Sequence, residues 1–335
     1  MMTLASLHTE LESKTFRWLI TGGAGFIGSH LTEFLLSIGN QLVTVIDNFA
    51  TGSKDNIELF CSNKNFKFIE GDILNCNLLK EIITNVDIIL HQAALGSVPR
   101  SIEFPELYIQ ANIVGTFNIF NEVRKIQTEQ ARKIRIVYAS SSSVYGDIEL
   151  LPKVEEIIGS ALSPYALSKQ SNEQWSQIYK NLYNVESVGL RYFNVFGPRQ
   201  NPNGDYAAVI PKWISEIKSG KNSTINGDGK TSRDFCFVSN VVQANIKAAL
   251  THNTAAFGKA YNVGVGDQTT LTELYSFIKE LALPEHEKPT VHYGPFRAGD
   301  VRHSRASITN IVRDLGYVPE VYIKEGLAIT VEAMK

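Results

Sequence analysis

The sequence predicts an α/β fold: a doubly wound parallel sheet with helices on both faces and a smaller, loop-rich C-terminal lobe over one edge. Three observations predict it. Over the first 192 residues, short apolar runs alternate with helix-like segments, the order that a parallel sheet with helical crossovers requires. Runs such as VDIIL at 86–90 are apolar throughout, as strands buried on both faces must be. Beyond about Gly197 the alternation gives way to stretches rich in Gly, Asn, Asp and Arg.

The strand-like runs are 16–21 (FRWLIT), 41–47 (QLVTVID), 66–72 (FKFIEGD), 86–92 (VDIILHQ), 133–140 (KIRIVYAS) and 185–192 (VESVGLRY). Helix-like segments fall between them at 26–38, 75–84, about 106–128 and 165–182. Residues 1–196 therefore read as one lobe and 197–335 as a second. A helical segment at 239–250 and a strand-like one at 259–264 are expected to return to the first lobe. No repeat, low-complexity tract or linker divides the chain.

Of the 335 residues, 44% are hydrophobic and 20% charged, as in soluble globular proteins. A net charge of -2 gives no electrostatic basis for a nucleic-acid or membrane partner. No apolar run approaches the ~18 residues of a membrane helix, and residues 1–16 do not read as a signal peptide. Cys61, Cys76 and Cys236 are scattered, and are expected to be buried free thiols in a cytoplasmic protein. No histidine pair has metal-ligand spacing, so no metal site is expected.

WLITGGAGFIGSH at 18–30 puts Gly22, Gly25 and Gly28 between a strand and a helix. A diphosphate needs backbone N–H groups aimed at it, no side chain in the way and the positive end of a helix dipole. The glycines provide the approach, and Gly28 lets the helix pack closely on the sheet. The next strand ends at Asp47, about 20 residues further on, where an acid accepts from an adenosine ribose hydroxyl. That acid would repel a 2'-phosphate, so the pattern reads as a Rossmann-type NAD site and favours NAD over NADP. A glycine turn with a solvated Asp is the plainer alternative. Asp72 is placed to contact the adenine, or merely caps its strand end.

Tyr165 and Lys169, in SPYALSK, stand four apart on a helix that starts after Pro164 and so share a face. A phenol ordinarily titrates near ~10. A neighbouring ammonium and a cationic nicotinamide ring would lower it, and such a Tyr can take a proton from an alcohol. The four serines of YASSSSVYGD, Ser140 to Ser143, end a parallel strand, and ligands sit beyond the carboxyl ends of such strands. All four are expected to face the cleft, and alternation alone does not separate Ser141 from Ser143.

Together these motifs resemble the extended short-chain dehydrogenase/reductases, and among them the nucleotide-sugar 4-epimerases. The similarity runs from TGGAGFIGSH (21–30) through DNFATGS (47–53), GDI (71–73), HQAALGSVPRS (91–101), SSSSVYGD (140–147), SPYALSK (163–169) and LRYFNVFGPRQ (190–200) to RAGDVRHS (297–304). The resemblance implies that Tyr165 is the base, that Lys169 binds the nicotinamide ribose and lowers the Tyr pKa, and that Ser141 hydrogen-bonds the reacting hydroxyl. Ser142 stands where related dehydratases carry an acid, and Ser143 is placed to touch the sugar. The resemblance further maps Phe26, Ile27, Asn48, Thr51, Gly52, Ile73, Gln92, Ala93, Ala94, Asn112 and Tyr192 onto cofactor-contact positions. His91 reads as structural.

The implied substrate is a UDP-activated sugar, oxidised at C4 and reduced again on its other face, with NAD retained through turnover. Asn194 would bind a phosphate or sugar oxygen, and Arg233 and Arg297 the diphosphate through paired N–H contacts. Asp300 would accept from a ribose hydroxyl, and Ile225 and Asn226 would flank the uracil. Gly96, Ser97, Gln200, Ala208, Val209 and Lys212 complete the implied substrate site. Ser304 occupies the position that limits room at the sugar C2 substituent. A small residue there leaves space for an acetamido group, so UDP-GlcNAc and UDP-GalNAc are the expected pair. By the same resemblance, the helices at about 106–128 and 165–182 imply a homodimer.

Other readings stay open. A 4,6-dehydratase needs an acid pair where this chain has Ser142 and Ser143, and is excluded unless another acid is recruited. A UDP-glucose/UDP-galactose or UDP-glucuronate 4-epimerase, or a decarboxylase, remains, with Arg100 and Arg199 available to a C6 carboxylate. So do a reductase with exchangeable cofactor and a catalytically silent NAD-binding scaffold, although Tyr165 and Lys169 argue against the last.

Overall fold

Alternation along each strand sends side chains to two separate cores. In β1 (Arg17–Thr21), Trp18 and Ile20 face one way and Leu19 the other. The same division runs through β2 (Leu42–Asp47), β3 (Phe66–Glu70), β4 (Ile88–His91) and β5 (Arg135–Ser141), while β6 (Glu186–Tyr192) gives Val188, Leu190 and Tyr192 to the first core. The structure is a computed structural model and describes residues 4–203, 207–283, 289–296 and 301–334. Seven shorter strands follow: β7 (Asn194–Phe196), β8 (Ser223–Asn226), β9 (Ser232–Arg233), β10 (Phe235–Phe237), β11 (Lys259–Val263), β12 (Thr269–Thr270) and β13 (Val291–Gly294).

The seven-stranded sheet has the order β11-β6-β5-β4-β1-β2-β3, and every pairing in it is parallel. The Rossmann-type reading therefore holds. The strand order reverses between β1 and β4, which opens a crevice beyond their carboxyl ends, at Thr21 and His91. At the other edge, β11 extends the sheet beside β6.

The helices are α1 (Leu4–Glu12), α2 (Phe26–Ser37), α3 (Lys54–Glu58), α4 (Cys76–Ile83), α5 (Val98–Glu103), α6 (Pro105–Tyr108), α7 (Gly115–Gln130), α8 (Pro164–Tyr183), α9 (Val209–Lys218), α10 (Val238–Leu250), α11 (Leu271–Ala282), α12 (Thr309–Leu315) and α13 (Ile323–Ala333). Helices α1, α2 and α10 cover one face of the sheet through Leu7, Leu31, Leu35, Val241 and Ile246. Helices α4, α7 and α8 cover the other through Leu79, Ile83, Phe120, Val123 and Tyr179. Each fully buried aliphatic side chain stabilises the fold by roughly 1.5–3 kcal/mol relative to exposure. A third core, around Ile210, Trp213, Ile225, Phe235, Leu274 and Leu327, holds the later segments together.

Three expectations change. The single helix at about 106–128 is instead α6, a π-helical turn (Ile109–Val114) and α7, preceded by α5. Pro105 starts α6 afresh because it lacks an amide hydrogen to continue α5. Helix α1, which no sequence signal announced, buries Leu7 and Leu11. Of the three free cysteines only Cys236 is buried; Cys61 and Cys76 are exposed. Among the described residues no helix is long and apolar enough to cross a membrane, and no cluster of His, Cys, Asp or Glu could hold a metal ion.

Candidate active site

The cleft begins at α2. Its N-cap, Gly25, is extended and supplies no side-chain cap to the first turn, where Phe26 and Ile27 stand. A Cβ on Gly28 would lie 2.3 Å from the Gly22 carbonyl oxygen, so no larger residue fits where the helix meets the turn. Asp47 ties that turn to β2: its Oδ2 accepts from the Ala24 amide at 2.9 Å and its Oδ1 from the Phe49 amide at 2.8 Å. Burial pushes the Asp47 carboxyl up against the pull of these bonds. Asp72 accepts from Asn48 Nδ2 and the Leu74 amide, both at 2.8 Å, so it both caps its strand end and joins the cleft. Asn48 and Thr51 are exposed, and Gly52 packs against Ala24. A bare helix N-terminus, a glycine floor and an acid at the end of β2 fit an adenine dinucleotide.

The reacting groups meet between α8 and β5. Ser163 caps α8, accepting from the Ala166 amide at 3.1 Å, and Pro164 takes the first turn, where its missing amide hydrogen costs nothing. Ser101 Oγ accepts from the Tyr165 amide at 3.2 Å. The Ser141 hydroxyl stands beside the Tyr165 phenol, near enough to lower it. Lys169 Nζ donates to the Ala139 carbonyl at 2.8 Å and lies 5.8 Å from the centre of the Tyr165 ring.

The electrostatics differ from expectation. Burial pushes the Tyr165 phenol up, the neighbouring Ser141 hydroxyl pulls it down, and Tyr108 raises it further. Burial also lowers Lys169 to about 8. The ammonium is directed at a carbonyl rather than at the phenol oxygen, so the chain by itself does not make Tyr165 acidic.

The serine run divides. Ser141 is extended at the strand end; its Oγ accepts from the Ser143 amide at 3.1 Å and opens a short 3-10 turn, Ser142–Tyr145. Ser142 is half-buried, and the Ser143 hydroxyl is buried without a partner among the described residues. Ser140 does not face the cleft. Period-two alternation turns it to the other face, where its hydroxyl donates to Glu173 Oε1 at 2.5 Å. His91 is structural as expected: it sits between the hydroxyls of Thr21 at 2.7 Å and Thr116 at 2.8 Å, and burial and then Lys169 lower it to about 3.

The remaining residues fall into two groups. Gln92, Ala93, Ala94, Gly96 and Ser97 line the loop after β4, with the Ala93 amide on Thr21 Oγ1 at 3.2 Å and the Ser97 amide on the Tyr108 hydroxyl at 3.2 Å. Asn112 does not reach the cleft. It is wholly buried, and its amide binds the Leu95 backbone on both sides and Ser168 Oγ, so it supports the loop from beneath. The Tyr192 hydroxyl is likewise held by Gln92 and Asn245, and Ile73 is core.

In the second group, Asn194 is exposed at the start of β7 and Ala208 at the start of α9, next to Val209. Lys212 is exposed, 3.8 Å from Glu216, and Gln200 Nε2 donates to the Val195 carbonyl at 3.2 Å. Ile225 is core, while Asn226 beside it is half-exposed. Arg233 donates to the carbonyls of Ser232 and Arg302. Ser304 is buried, its amide on the Ser232 carbonyl at 3.1 Å. Arg297 and Asp300 lie outside the described residues.

A sequence profile of the NAD dependent epimerase/dehydratase family matches residues 18–264, which hold the glycine turn, the serine run and the Tyr-Lys pair. The chain belongs to this family. NAD is its cofactor. A putative UDP-glucose 4-epimerase of Methanocaldococcus jannaschii is 37% identical over 95% of this chain and 98% of its own length. A UDP-N-acetylglucosamine 4-epimerase from Methanobrevibacter ruminantium, solved with UDP-N-acetylmuramic acid, superposes with a TM-score of 0.87 at 35% identity, over 96% of this chain and 98% of that one. A UDP-glucuronic acid 4-epimerase from Bacillus cereus, solved with UDP-glucuronic acid and NAD, gives 0.86 at 28% identity, over 95% and 98%.

For a member of this epimerase/dehydratase family, one further arrangement matters. The Glu173 carboxylate is gripped by Arg191 through Nε at 2.9 Å and Nη2 at 2.8 Å, and Arg191 Nη1 also donates to the Tyr145 hydroxyl at 3.0 Å. Sequence reasoning missed these three residues, although Glu173 stands one turn past Lys169 and spacing alone points to it. Arg199 is not available to a sugar carboxylate, because it donates to Glu33 and His30, both at 2.6 Å. A cavity of about 420 Å3 between α1 and the amino ends of β1, β4 and β5 lies at the opposite edge of the sheet and holds none of the site residues.

Proposed function

We propose that this chain is a UDP-N-acetylglucosamine 4-epimerase that interconverts UDP-GlcNAc and UDP-GalNAc. The Ser141 hydroxyl beside the Tyr165 phenol, with Lys169 one turn along α8, carries the reading. Tyr165 takes the proton of the sugar 4-hydroxyl, and Ser141 holds that hydroxyl against the phenol. Bound NAD would supply the acceptor and later the donor of the C4 hydride, and its positive charge would favour the phenolate. Tyr165 then gives the proton back to O4, so the chemistry is redox-neutral overall. The turn at Gly22–Gly28 would hold the diphosphate and Asp47 the adenosine ribose; Asn194 and Arg233 would hold the UDP portion.

The choice of an N-acetylated sugar rests on Ser304, a small buried residue in the segment that walls the sugar site, and on the likeness to the Methanobrevibacter enzyme. Incubating the purified protein with UDP-GlcNAc alone and assaying for UDP-GalNAc tests it, alongside kcat/KM for UDP-glucose. A clear preference for UDP-glucose would sink the N-acetyl assignment and leave the 4-epimerase reading intact.

The reading includes a homodimer. Ile102 and Leu107 before α7, and Leu167, Ile178 and Leu182 along one stripe of α8, are exposed apolar side chains suited to helix pairing with a second copy. It also places the enzyme in the cytoplasm, where three unpaired cysteines are compatible with a reducing compartment.

A further inference from the structure

Asn262, on the edge strand β11, has no exposed surface, and its side chain bonds three separate segments. Its Oδ1 accepts from the Tyr145 hydroxyl at 2.6 Å. Its Nδ2 donates to the Lys153 carbonyl at 2.9 Å and the Ser307 carbonyl at 3.1 Å. The partners fix the amide orientation: two carbonyls demand the donor, and the Tyr145 oxygen already receives Arg191 Nη1, so its own proton goes to Asn262.

The three segments are those that shape the sugar site. Tyr145 closes the turn that begins at Ser142. Ser307 lies three residues beyond Ser304. Lys153 belongs to the stretch between the serine turn and α8, and it pairs with the wall: its amide donates to the Arg305 carbonyl at 2.8 Å, and its carbonyl accepts from the Ser307 amide at 2.9 Å. From the other side the wall is held by the Ser304 amide on Ser232 and by the Ala306 amide on Asp234 Oδ2 at 3.1 Å. Asn262 thus bonds at once to the serine turn, the Lys153 stretch and the wall.

We propose that Asn262 is a positioning residue for sugar choice: it sets the stand-off between the serine turn and the wall that carries Ser304, and with it the room left at the sugar C2 substituent. The proposal rests on the 4-epimerase reading. Asn262→Asp keeps the shape but replaces a donor with an acceptor facing two carbonyls, which displaces the wall. Tyr145→Phe removes one of the three bonds and adds no charge.

The experiment measures kcat and KM for UDP-GlcNAc and UDP-glucose on the NAD-loaded wild type and both variants, with bound NAD counted per chain. The bulkier sugar meets the wall first. Asn262→Asp should therefore lose about tenfold more kcat/KM on UDP-GlcNAc than on UDP-glucose, and Tyr145→Phe about two- to threefold more, with NAD content unchanged. Equal losses on both sugars would mean that Asn262 only holds the fold, and would overturn the proposal. If Asn262→Asp does not fold, Tyr145→Phe decides alone. A wild type that interconverts no UDP-sugar pair overturns the reading of function together with this inference; an active wild type with equal losses overturns the inference alone.

Discussion

Tyr165 works against its surroundings. Burial raises its phenol, and the neighbouring Ser141 hydroxyl is the pull that this chain sets against it. Tyr165→Phe removes the proton acceptor without changing the shape of the pocket, so kcat should fall by roughly 10²–10⁴ while UDP-sugar affinity stays within about threefold. Near-normal kcat would exclude Tyr165 as the base. Ser141→Ala should cost turnover more than Ser143→Ala, because Ser141 Oγ stands beside the phenol and Ser143 Oγ has no partner among the described residues; the reverse order in single-turnover rates would move the role to Ser143. His91 gives a separate test in pH. Its folded value is about 3 and its ordinary value 6.5, so between these the unfolded chain holds a proton that the folded chain lacks. Stability should therefore fall as pH drops below 6.5, by roughly 1.4 kcal/mol per pH unit from this one group. His91→Gln should flatten that part of the urea-midpoint curve, and a curve parallel to wild type would show that His91 is not its source.

Helix α8 and strand β5 are joined by three contacts at successive turns of the helix. Tyr165 stands beside Ser141, Lys169 bonds the Ala139 carbonyl and Glu173 accepts from Ser140. The first two helix residues were legible in the sequence, because an i, i+4 pair after a capping Ser and a Pro is a local pattern. The strands and the glycine turn were legible for the same reason: each is set by neighbours within a few residues. The partners of Glu173 were not. Arg191 reaches it from the adjoining strand β6, and Tyr145 meets Asn262 from 117 residues away in the chain, a pairing that only the folded sheet creates. The π-helical turn at 109–114 left no signal either, because its residues read as an ordinary helix. The Arg191–Glu173 pair is almost fully buried, so removing one partner strands a charge. Arg191→Met should cost about 3–5 kcal/mol of unfolding free energy, measured by urea denaturation. A loss below about 1 kcal/mol would show that Glu173 finds other partners or water.

The substrate cleft belongs to the whole molecule, since no single lobe builds it. On the proposed reading, the cofactor residues come from the ends of β1, β2 and β4, the reacting pair from β5 and α8, and the wall near Ser304 from a segment held between β9 and the Lys153 stretch. Asp234 anchors this wall from within: its buried carboxylate accepts from the Val265, Gly266 and Ala306 amides, and burial raises it to about 6. A wall fixed on both sides cannot retreat from a larger side chain. Ser304→Tyr should therefore fill the space at the sugar C2 position rather than push the segment outward. The expected result is a loss of kcat/KM on UDP-GlcNAc of about 10²-fold, against less than about fivefold on UDP-glucose, because the added ring volume competes with the acetamido group and not with a hydroxyl. Steady-state assays on both sugars, with bound NAD counted to confirm an intact cofactor site, distinguish this from general damage. Equal losses on the two sugars would remove Ser304 from the choice of substrate.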